Sequence, residues 1–171
     1  MSDIQMWRYT LPTIDRIEGW GIFLMDSTGI FAAVTDYGNY AYSWSHYGEK
    51  DFREFIIGLE KSPSYLLGKV ARHEYKYDGE ETLKFIKKHI LEYRRDANMT
   101  REEARKEWDL LEEYELEYEY GFNQWYESTS LDDAHEFYHE SYSASAIGFA
   151  KKLIPRLAEL LRAELDKEGV K

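Results

Sequence analysis

Residues 19–46 read GWGIFLMDSTGIFAAVTDYGNYAYSWSH, and the fold class is predicted mainly from this stretch. Three short runs of apolar and aromatic residues are separated by Asp26-Ser27-Thr28-Gly29 and by Asp36-Tyr37-Gly38-Asn39. Such clusters form tight turns, and apolar runs of this length between turns are typical of strands. Because loops this short join antiparallel neighbours, we predict a β-meander. The predicted strands span residues 19–25, 30–35 and 40–46.

The third predicted strand alternates strictly, which places Tyr40, Tyr42, Trp44 and His46 on one face of the sheet. This aromatic face has two possible roles. It packs against helices, or it forms a platform on which nucleic-acid bases stack. Few basic residues lie near it in the sequence, so packing is favoured. A fourth strand is predicted at the sheet edge over residues 6–11.

After residue 50 the pattern becomes helical, with recognisable helix starts. These starts are Asp51, Ser62 with Pro63, Asp78, and Thr100 with Glu103. An apolar stripe from Ile147 to Leu165 predicts a long C-terminal helix, which Pro155 should kink or split. We therefore predict an α+β fold, with a small antiparallel sheet of three or four strands packed by several helices. No linker or repeat separates the β-rich residues 1–48 from the helical residues 51–168, so one domain over residues 1–171 is expected.

Charge is distributed very unevenly. The chain has 22 basic and 33 acidic residues, a net charge of −11. Residues 107–150 contain twelve acidic residues and no Lys or Arg, so the rest of the chain carries +1. Phosphate contacts need cations, which argues against direct binding of nucleic acid through this stretch. A partner with a basic surface would be attracted to it.

We call residues 107–140 the acidic segment. It mixes carboxylates with aromatic rings, and it contains the candidate partner-binding residues. These are Glu112, Glu113, Tyr114, Glu115, Glu117, Tyr118 and Glu119. One interpretation is a solvated helix face. The other is an interaction surface, in which carboxylates along a helix present charge as a phosphate backbone does and Tyr rings supply contact area.

Residues 135–139 read HEFYH, an H-E-x-x-H pattern. On a helix, His135 and His139 would share one face and bind zinc, while Glu136 would activate water. Glu159 lies twenty residues beyond His139 and is the candidate third ligand. Charged flanks and a position near a helix start argue against this alternative. A zinc hydrolase with ligands His135, His139 and Glu159 is therefore kept as the alternative to a binding protein.

Other chemistry has little support in the sequence. There is no Cys, which excludes thiol nucleophiles and disulfides and is typical of a reducing cytoplasm. The sequence contains neither a G-x-S-x-G motif nor a phosphate-binding loop. We predict no catalytic residue and no cofactor. The N-terminus has no signal-peptide pattern and no apolar run reaches membrane-spanning length, so we expect a cytoplasmic protein without a membrane partner.

Three long stretches resemble an uncharacterised family of small proteins encoded by tailed bacteriophages and prophages. They are EGWGIFLMDSTGIFAAVTDYGNYAYSWSHYGEKDFREFIIGLEKSPSYLLGKV (18–70), YDGEETLKFIKKHILEYRRDANMTREEARKEWDLL (77–111) and IPRLAELLRAELDKE (154–168). The resemblance implies a bacterial host cytoplasm and an accessory phage role. That family has no established activity, so the resemblance transfers no catalytic residue.

The leading hypothesis is a phage-encoded accessory protein that binds another protein. The expected partner is a host or phage protein with a basic surface, including a host nucleic-acid-handling or defence protein such as a CRISPR effector. Two alternatives stay open, the zinc hydrolase and a structural or assembly protein of the phage. The oligomeric state is also open.

Overall fold

The structure is a computed structural model that describes residues 3–169. The chain forms two compact units. Unit 1 contains the described residues up to Glu74 and from Tyr142 onward, and unit 2 is Tyr75–Ser141. Independent folding defines a domain, so a single domain over residues 1–171 stays a prediction. In the described part of the chain, no helix is long and apolar enough to cross a bilayer.

Unit 1 begins with a four-stranded antiparallel sheet in the order β1-β2-β3-β4. The strands are β1 (Met6–Leu11), β2 (Gly21–Asp26), β3 (Ile30–Thr35) and β4 (Gly38–Ser43). The predicted meander and its added edge strand are confirmed. The last strand is shorter than predicted and ends at Ser43, although the Trp44 backbone N–H still donates to the Gly29 carbonyl at 2.9 Å. The predicted α+β class is confirmed.

The aromatic side chains of β4 face the core of unit 1. Tyr40 is buried and stacks on Phe149 with 4.1 Å between ring centroids. Trp44 is also buried, and its Nε1 donates to the Tyr65 hydroxyl at 3.1 Å. Two buried rings cannot receive nucleic-acid bases. The packing role predicted for this face is therefore confirmed at Tyr40 and Trp44, while His46 lies exposed beyond the strand.

Helices from both ends of the chain complete unit 1. They are α1 (Phe52–Leu59), α2 (Pro63–Val70), a 3-10 turn (Arg72–Glu74), α6 (Ala144–Gly148), a π-helical turn (Phe149–Leu153) and α7 (Ile154–Glu168). Pro155 lies in the first turn of α7, directly after the π-helical turn, so the change in the helical hydrogen-bond pattern falls where the proline has no N–H to donate. The predicted interruption at Pro155 is confirmed.

One cation is buried in unit 1. Arg53 on α1 has 2 % of its side chain exposed, and its guanidinium forms ion pairs with three carboxylates. The nitrogen–oxygen distances are 2.8 Å to Asp51, 3.5 Å to Glu164 and 2.7 Å to Glu168. The guanidinium also lies 4.9 Å from the ring centroid of Trp7. Charged partners on α7 therefore attach this helix to α1 across a buried guanidinium.

Unit 2 is mainly helical and has its own core. Its elements are β5 (Tyr75–Tyr77), α3 (Gly79–Arg95), α4 (Arg101–Glu113), α5 (Glu119–Ser128), a 3-10 helix (Ala134–Phe137) and β6 (Glu140–Tyr142), whose last residue belongs to unit 1. Asp78 caps α3, and Thr100 with Glu103 forms a capping box on α4, as predicted. The core surrounds the fully buried Trp125. The pairing of β5 with β6 was not predicted, because three-residue strands are too short for alternation to be recognised.

Candidate functional site

Nearly all the net negative charge belongs to unit 2. Residues 75–141 contain nine basic and nineteen acidic residues, a net charge of −10. The rest of the chain contains thirteen basic and fourteen acidic residues, a net charge of −1. The whole acidic segment lies in unit 2. A positively charged partner would therefore be attracted to unit 2 rather than to unit 1.

The candidate partner-binding residues do not lie along one helix. We call residues 112–119 the acidic turn, because they cover the end of α4, the five residues between the helices and the start of α5. Leu116 in its centre is buried in the core of unit 2, which forces the chain to leave the helical path. Both interpretations placed these carboxylates on a helix, which is wrong for residues 114–118, and α5 was not predicted. The carboxylates remain on the surface: Glu112, Glu113, Glu115, Glu117 and Glu119 are all exposed.

The two candidate tyrosines differ in exposure. Tyr118 has half of its surface exposed and stacks nearly parallel to Tyr120, with ring centroids 5.4 Å apart. Tyr114 is partly buried, and its hydroxyl bonds to the Ser128 hydroxyl at 2.7 Å. Tyr118 is therefore available for contact, and Tyr114 supports the fold of unit 2.

Backbone contacts hold the acidic turn in place. The Tyr77 hydroxyl donates to the Leu116 carbonyl at 2.8 Å. Gly79 lies so close to the turn that an added Cβ would approach the Leu116 carbonyl oxygen to 2.5 Å. A Cβ on Gly121 would collide with the Glu115 carbonyl oxygen. Only glycine allows these close approaches, so the path of the turn depends on Gly79 and Gly121 rather than on its acidic side chains.

A shallow groove of about 430 Å³ adjoins the acidic turn within unit 2. We call it the tyrosine groove. It is lined by Tyr75, Lys76, Tyr77, Glu117, Tyr118, Glu119, Tyr138 and Glu140. The rings of Tyr77 and Tyr138 lie 5.0 Å apart, and the Tyr138 hydroxyl donates to Glu119 at 2.8 Å. Aromatic walls with carboxylates suit a cationic side chain, because the ring faces and the carboxylates both attract positive charge.

The tyrosine hydroxyls near this groove stay protonated at neutral pH. Burial and the hydrogen bond to Glu119 raise the pKa of Tyr138 to about 12. The hydrogen bond to Glu115, followed by burial, raises the pKa of Tyr120 to about 12. The hydroxyls therefore act as donors to carboxylates, and the negative charge of the surface comes from the glutamates alone.

The end of α4 carries charge of the sign that a helix disfavours. The C-terminus of a helix has partial negative charge, which favours nearby cations. The last turn of α4 has no basic residue, and Glu112 and Glu113 lie there with exposed side chains. These two glutamates therefore oppose the stability of α4 instead of contributing to it.

The acidic surface is smaller than predicted, because Glu107 is not part of it. Its side chain is completely buried, so it cannot contact a partner. The carboxylate accepts hydrogen bonds from the Thr129 hydroxyl at 2.6 Å, from the Ser130 N–H at 3.0 Å and from the Ser130 hydroxyl at 2.5 Å. Glu107 thus attaches α4 to the chain that follows α5. The apolar stripe through Ala104 and Leu111 also includes position 107, and this periodicity is the signal that was overlooked.

The H-E-x-x-H residues do not lie on an α-helix. His135 lies in the four-residue 3-10 helix, whereas His139 follows it in extended chain. The His139 backbone N–H donates to the Thr82 hydroxyl at 3.0 Å, and its ring packs on Phe85. Glu159 lies in unit 1. Among residues 3–169, no three His, Cys, Asp or Glu side chains are grouped so that they could hold a metal ion.

Of the eight residues that line the tyrosine groove, the sequence predicted only Glu117, Tyr118 and Glu119, and Lys76 was among the five that it missed. Tyr75, Tyr77, Tyr138 and Glu140 come from β5, from β6 and from the residue pair that precedes β6. The pattern Tyr75-Lys76-Tyr77 does place two rings on one side of an extended chain, which was a usable signal. Nothing local indicated that residues 138–140 would join them.

Comparisons with known proteins agree with the resemblance described above. Neither the curated proteins nor the solved structures contain a match to this chain. A protein-family model described as a phage family matches residues 2–163, which is nearly the whole chain. The chain belongs to this phage family.

Proposed function

We propose that this phage protein acts by binding another protein through the acidic turn and the tyrosine groove. The partner has a basic surface and belongs to the host or to the phage. A host protein that handles nucleic acid fits this description, and a defence nuclease such as a CRISPR effector is one example. The proposed place of action is the cytoplasm of the bacterial host.

The observation that carries this proposal is the set of five exposed carboxylates within the eight residues of the acidic turn. No Lys or Arg occurs between Lys106 and Lys151, and Lys76 lies with Glu117 and Glu119 in the lining of the tyrosine groove. Glu112 and Glu113 also oppose the dipole of α4. Charges that are exposed and unfavourable for folding are best explained by a role in binding.

The chemistry of the groove supports a partner that presents Arg or Lys. A guanidinium can stack on a tyrosine ring and pair with a carboxylate at the same time. The half-exposed ring of Tyr118 lies beside Glu117 and Glu119 in the groove lining, which provides both contacts. A basic groove filled in this way would no longer be open to the phosphates of nucleic acid. The proposed mechanism is therefore competition for a basic surface.

The test is affinity capture from a nuclease-treated host lysate with three forms of the tagged chain. The first is the unmodified protein, and the second carries Glu112→Lys, Glu113→Lys, Glu115→Lys and Glu117→Lys. The matched control carries Asp3→Lys, Glu49→Lys, Glu159→Lys and Asp166→Lys, which changes the net charge equally at exposed positions of unit 1. We expect one stoichiometric protein with the unmodified chain and the control, and none with the second form. Equal capture by all three forms would exclude the acidic turn as the contact surface.

The affinity of the purified complex should also fall steeply with salt. Exposed charges separated by more than about 10 Å are screened at 0.1 M ionic strength, so attraction by the acidic turn weakens as salt is added. Calorimetric titrations at two salt concentrations measure this dependence. An affinity that does not change with salt would indicate an apolar contact elsewhere on the chain.

A further inference from the structure

Unit 2 has a second charged surface, which is basic and lies at the opposite end of α4 from the acidic turn. Residues 84–106 contain eight basic and four acidic residues, a local net charge of +4 in a chain of −11. A shallow groove of about 400 Å³ between α3 and α4, which we call the arginine groove, collects part of this charge. Its lining contains three arginines and no carboxylate: Ile90, Leu91, Arg94, Arg101, Ala104, Arg105 and Trp108.

Arg101 occupies a position where its charge opposes folding. It is the first residue of α4, and the positive end of a helix dipole disfavours a cation there. Arg105 lies four residues later, so two like charges share one side of the helix. Arg105 pairs with Asp109 at 2.9 Å, whereas within residues 3–169 no ion pair involves Arg101 or Arg94. A ligand therefore explains the charge of Arg101 better than folding does.

Lys87 extends the basic surface along α3. Its ammonium group lies 5.5 Å from the ring centroid of Trp108, which lines the groove. Lys84 and Lys88 adjoin it on α3, but each of them is paired with a carboxylate. The cations that lie in the groove or directly beside it are therefore Lys87, Arg94, Arg101 and Arg105.

The groove also offers an apolar floor with an aromatic ring. Trp108 is partly buried, and Leu91 is 59 % exposed. Every nucleobase has a face that can stack on an aromatic ring, and a guanidinium group binds phosphate through two parallel hydrogen bonds. The combination favours nucleic acid over an acidic protein segment, because it provides a stacking ring as well as anion-binding groups.

We propose that the arginine groove binds single-stranded nucleic acid, with phosphates on Arg94, Arg101 and Arg105 and a base on Trp108. An unpaired strand is required, because the bases of a duplex already stack on their neighbours. The proposal goes beyond the proposed function and does not rest on it. The acidic segment disfavours nucleic acid at its own surface, and the groove lies at the other end of α4.

The negative charge of the chain limits the affinity without preventing binding. Unit 2 carries −10 and unit 1 carries −1, and both repel a polyanion at long range. Arg101 and Glu112 lie eleven residues apart on α4, about 17 Å along the helix axis. Exposed charges more than about 10 Å apart are largely screened at 0.1 M ionic strength. We therefore expect weak binding without recognition of base sequence, with a Kd of about 10⁻⁴–10⁻⁶ M at physiological salt.

Fluorescence anisotropy of a short labelled oligothymidylate, titrated with the full chain at several salt concentrations, tests this proposal. Phosphate contacts from the four cations predict a slope of about −3 for the logarithm of the binding constant against that of salt, at about −0.7 per contact. Arg94→Gln combined with Arg101→Gln should weaken binding at least about tenfold at low salt and halve this slope. The matched control is Arg8→Gln with Arg72→Gln, which removes the same charge from exposed positions of unit 1 and should leave the slope unchanged.

A substitution of the ring separates stacking from charge. Trp108→Leu keeps the floor apolar but should weaken binding at least about fivefold, because it removes the surface on which a base stacks. The slope with salt should stay the same, since stacking releases no counterions. Far-UV circular dichroism establishes that each variant is folded.

Absence of binding at low salt would overturn the proposal, as would a salt slope that the two arginine substitutions leave unchanged. Equal displacement of the oligonucleotide by polyglutamate would also contradict it, and would identify the groove as a surface for acidic proteins. Equal or tighter binding of a duplex of the same length would contradict stacking on Trp108. The proposed function is tested separately, because its affinity capture uses a nuclease-treated lysate and changes only the acidic turn.

Discussion

The two units use carboxylates in opposite ways. In unit 1, Asp51, Glu164 and Glu168 surround the buried guanidinium of Arg53, and basic and acidic residues are nearly equal in number. In unit 2, the glutamates of the acidic turn face solvent without a nearby cation in the sequence. Charge therefore supports folding at Arg53 in unit 1, whereas Glu112 and Glu113 in unit 2 oppose the dipole of α4. A surface that a protein maintains against its own stability is a strong candidate for function.

Removing the buried cation of unit 1 should have the largest effect on stability. Arg53→Ala leaves partly buried carboxylates without their partner, which costs about 3–5 kcal/mol in comparable cases. Urea unfolding of both proteins measures the difference in free energy. Arg162→Ala is the control, because Arg162 pairs with Glu60 at the surface and should contribute less than about 1 kcal/mol. Similar losses from the two substitutions would show that burial of Arg53 has no special role.

Unit 2 also contains a buried carboxylate that supports folding, Glu107. Glu107→Ala removes the acceptor of three hydrogen bonds from Thr129 and Ser130. Hydrogen bonds to charged groups contribute about 1.5–3 kcal/mol each, less when their donors reach water, so we expect a loss of about 2–4 kcal/mol. The comparison variant is Glu113→Ala, which should cause no loss. If both variants unfold at the same urea concentration, burial of Glu107 does not matter.

The pH dependence of stability tests the network of Arg53 directly. Hydrogen bonds from Arg53 lower the pKa of Glu168. Burial would raise the pKa of Asp51, but hydrogen bonds from the Arg53 side chain and backbone outweigh it and lower that pKa. Their contribution is complete above about pH 5, since unfolded carboxyls titrate near pH 4, and it is lost as pH falls through the lower folded-state values.

The free-energy difference between the unmodified protein and Arg53→Ala should therefore shrink between about pH 5 and about pH 2. Urea titrations at several pH values measure it. A constant difference over this range would mean that the carboxylates do not depend on Arg53 for their ionisation.

The smallest expected effect is a gain in the free energy of unfolding rather than a loss. Glu112→Lys and Glu113→Lys place cations at the C-terminus of α4, where the helix dipole favours them. Each substitution should raise the free energy of unfolding by about 0.3–1 kcal/mol at low salt. Thermal unfolding at low and high ionic strength measures the gain, which salt should reduce. A loss of stability would mean that these glutamates support folding, and the contrast between the units would disappear.

The parts of the fold that sequence reasoning predicted correctly depend on local signals. The meander follows from alternation and turn residues, and the caps at Asp78 and Thr100 follow from contacts three residues away. The parts that it missed depend on distant contacts. Leu116 is held by Tyr77, which is 39 positions earlier, and Glu107 is held by residues more than twenty positions later. The charge of the acidic turn could be predicted from the sequence, but the course of its backbone could not.

The means by which the acidic turn is held has a consequence for how this protein can change over generations. Gly79, Gly121 and the Tyr77 hydroxyl fix its backbone, so the exposed side chains of Glu112, Glu113 and Glu117 carry little of the folding information. Mutations there can alter what the surface recognises while the scaffold stays folded. A phage whose target mutates could follow it by exchanging these few side chains. If this happens, related phage proteins should keep the two glycines while the exposed side chains of the acidic turn differ among them.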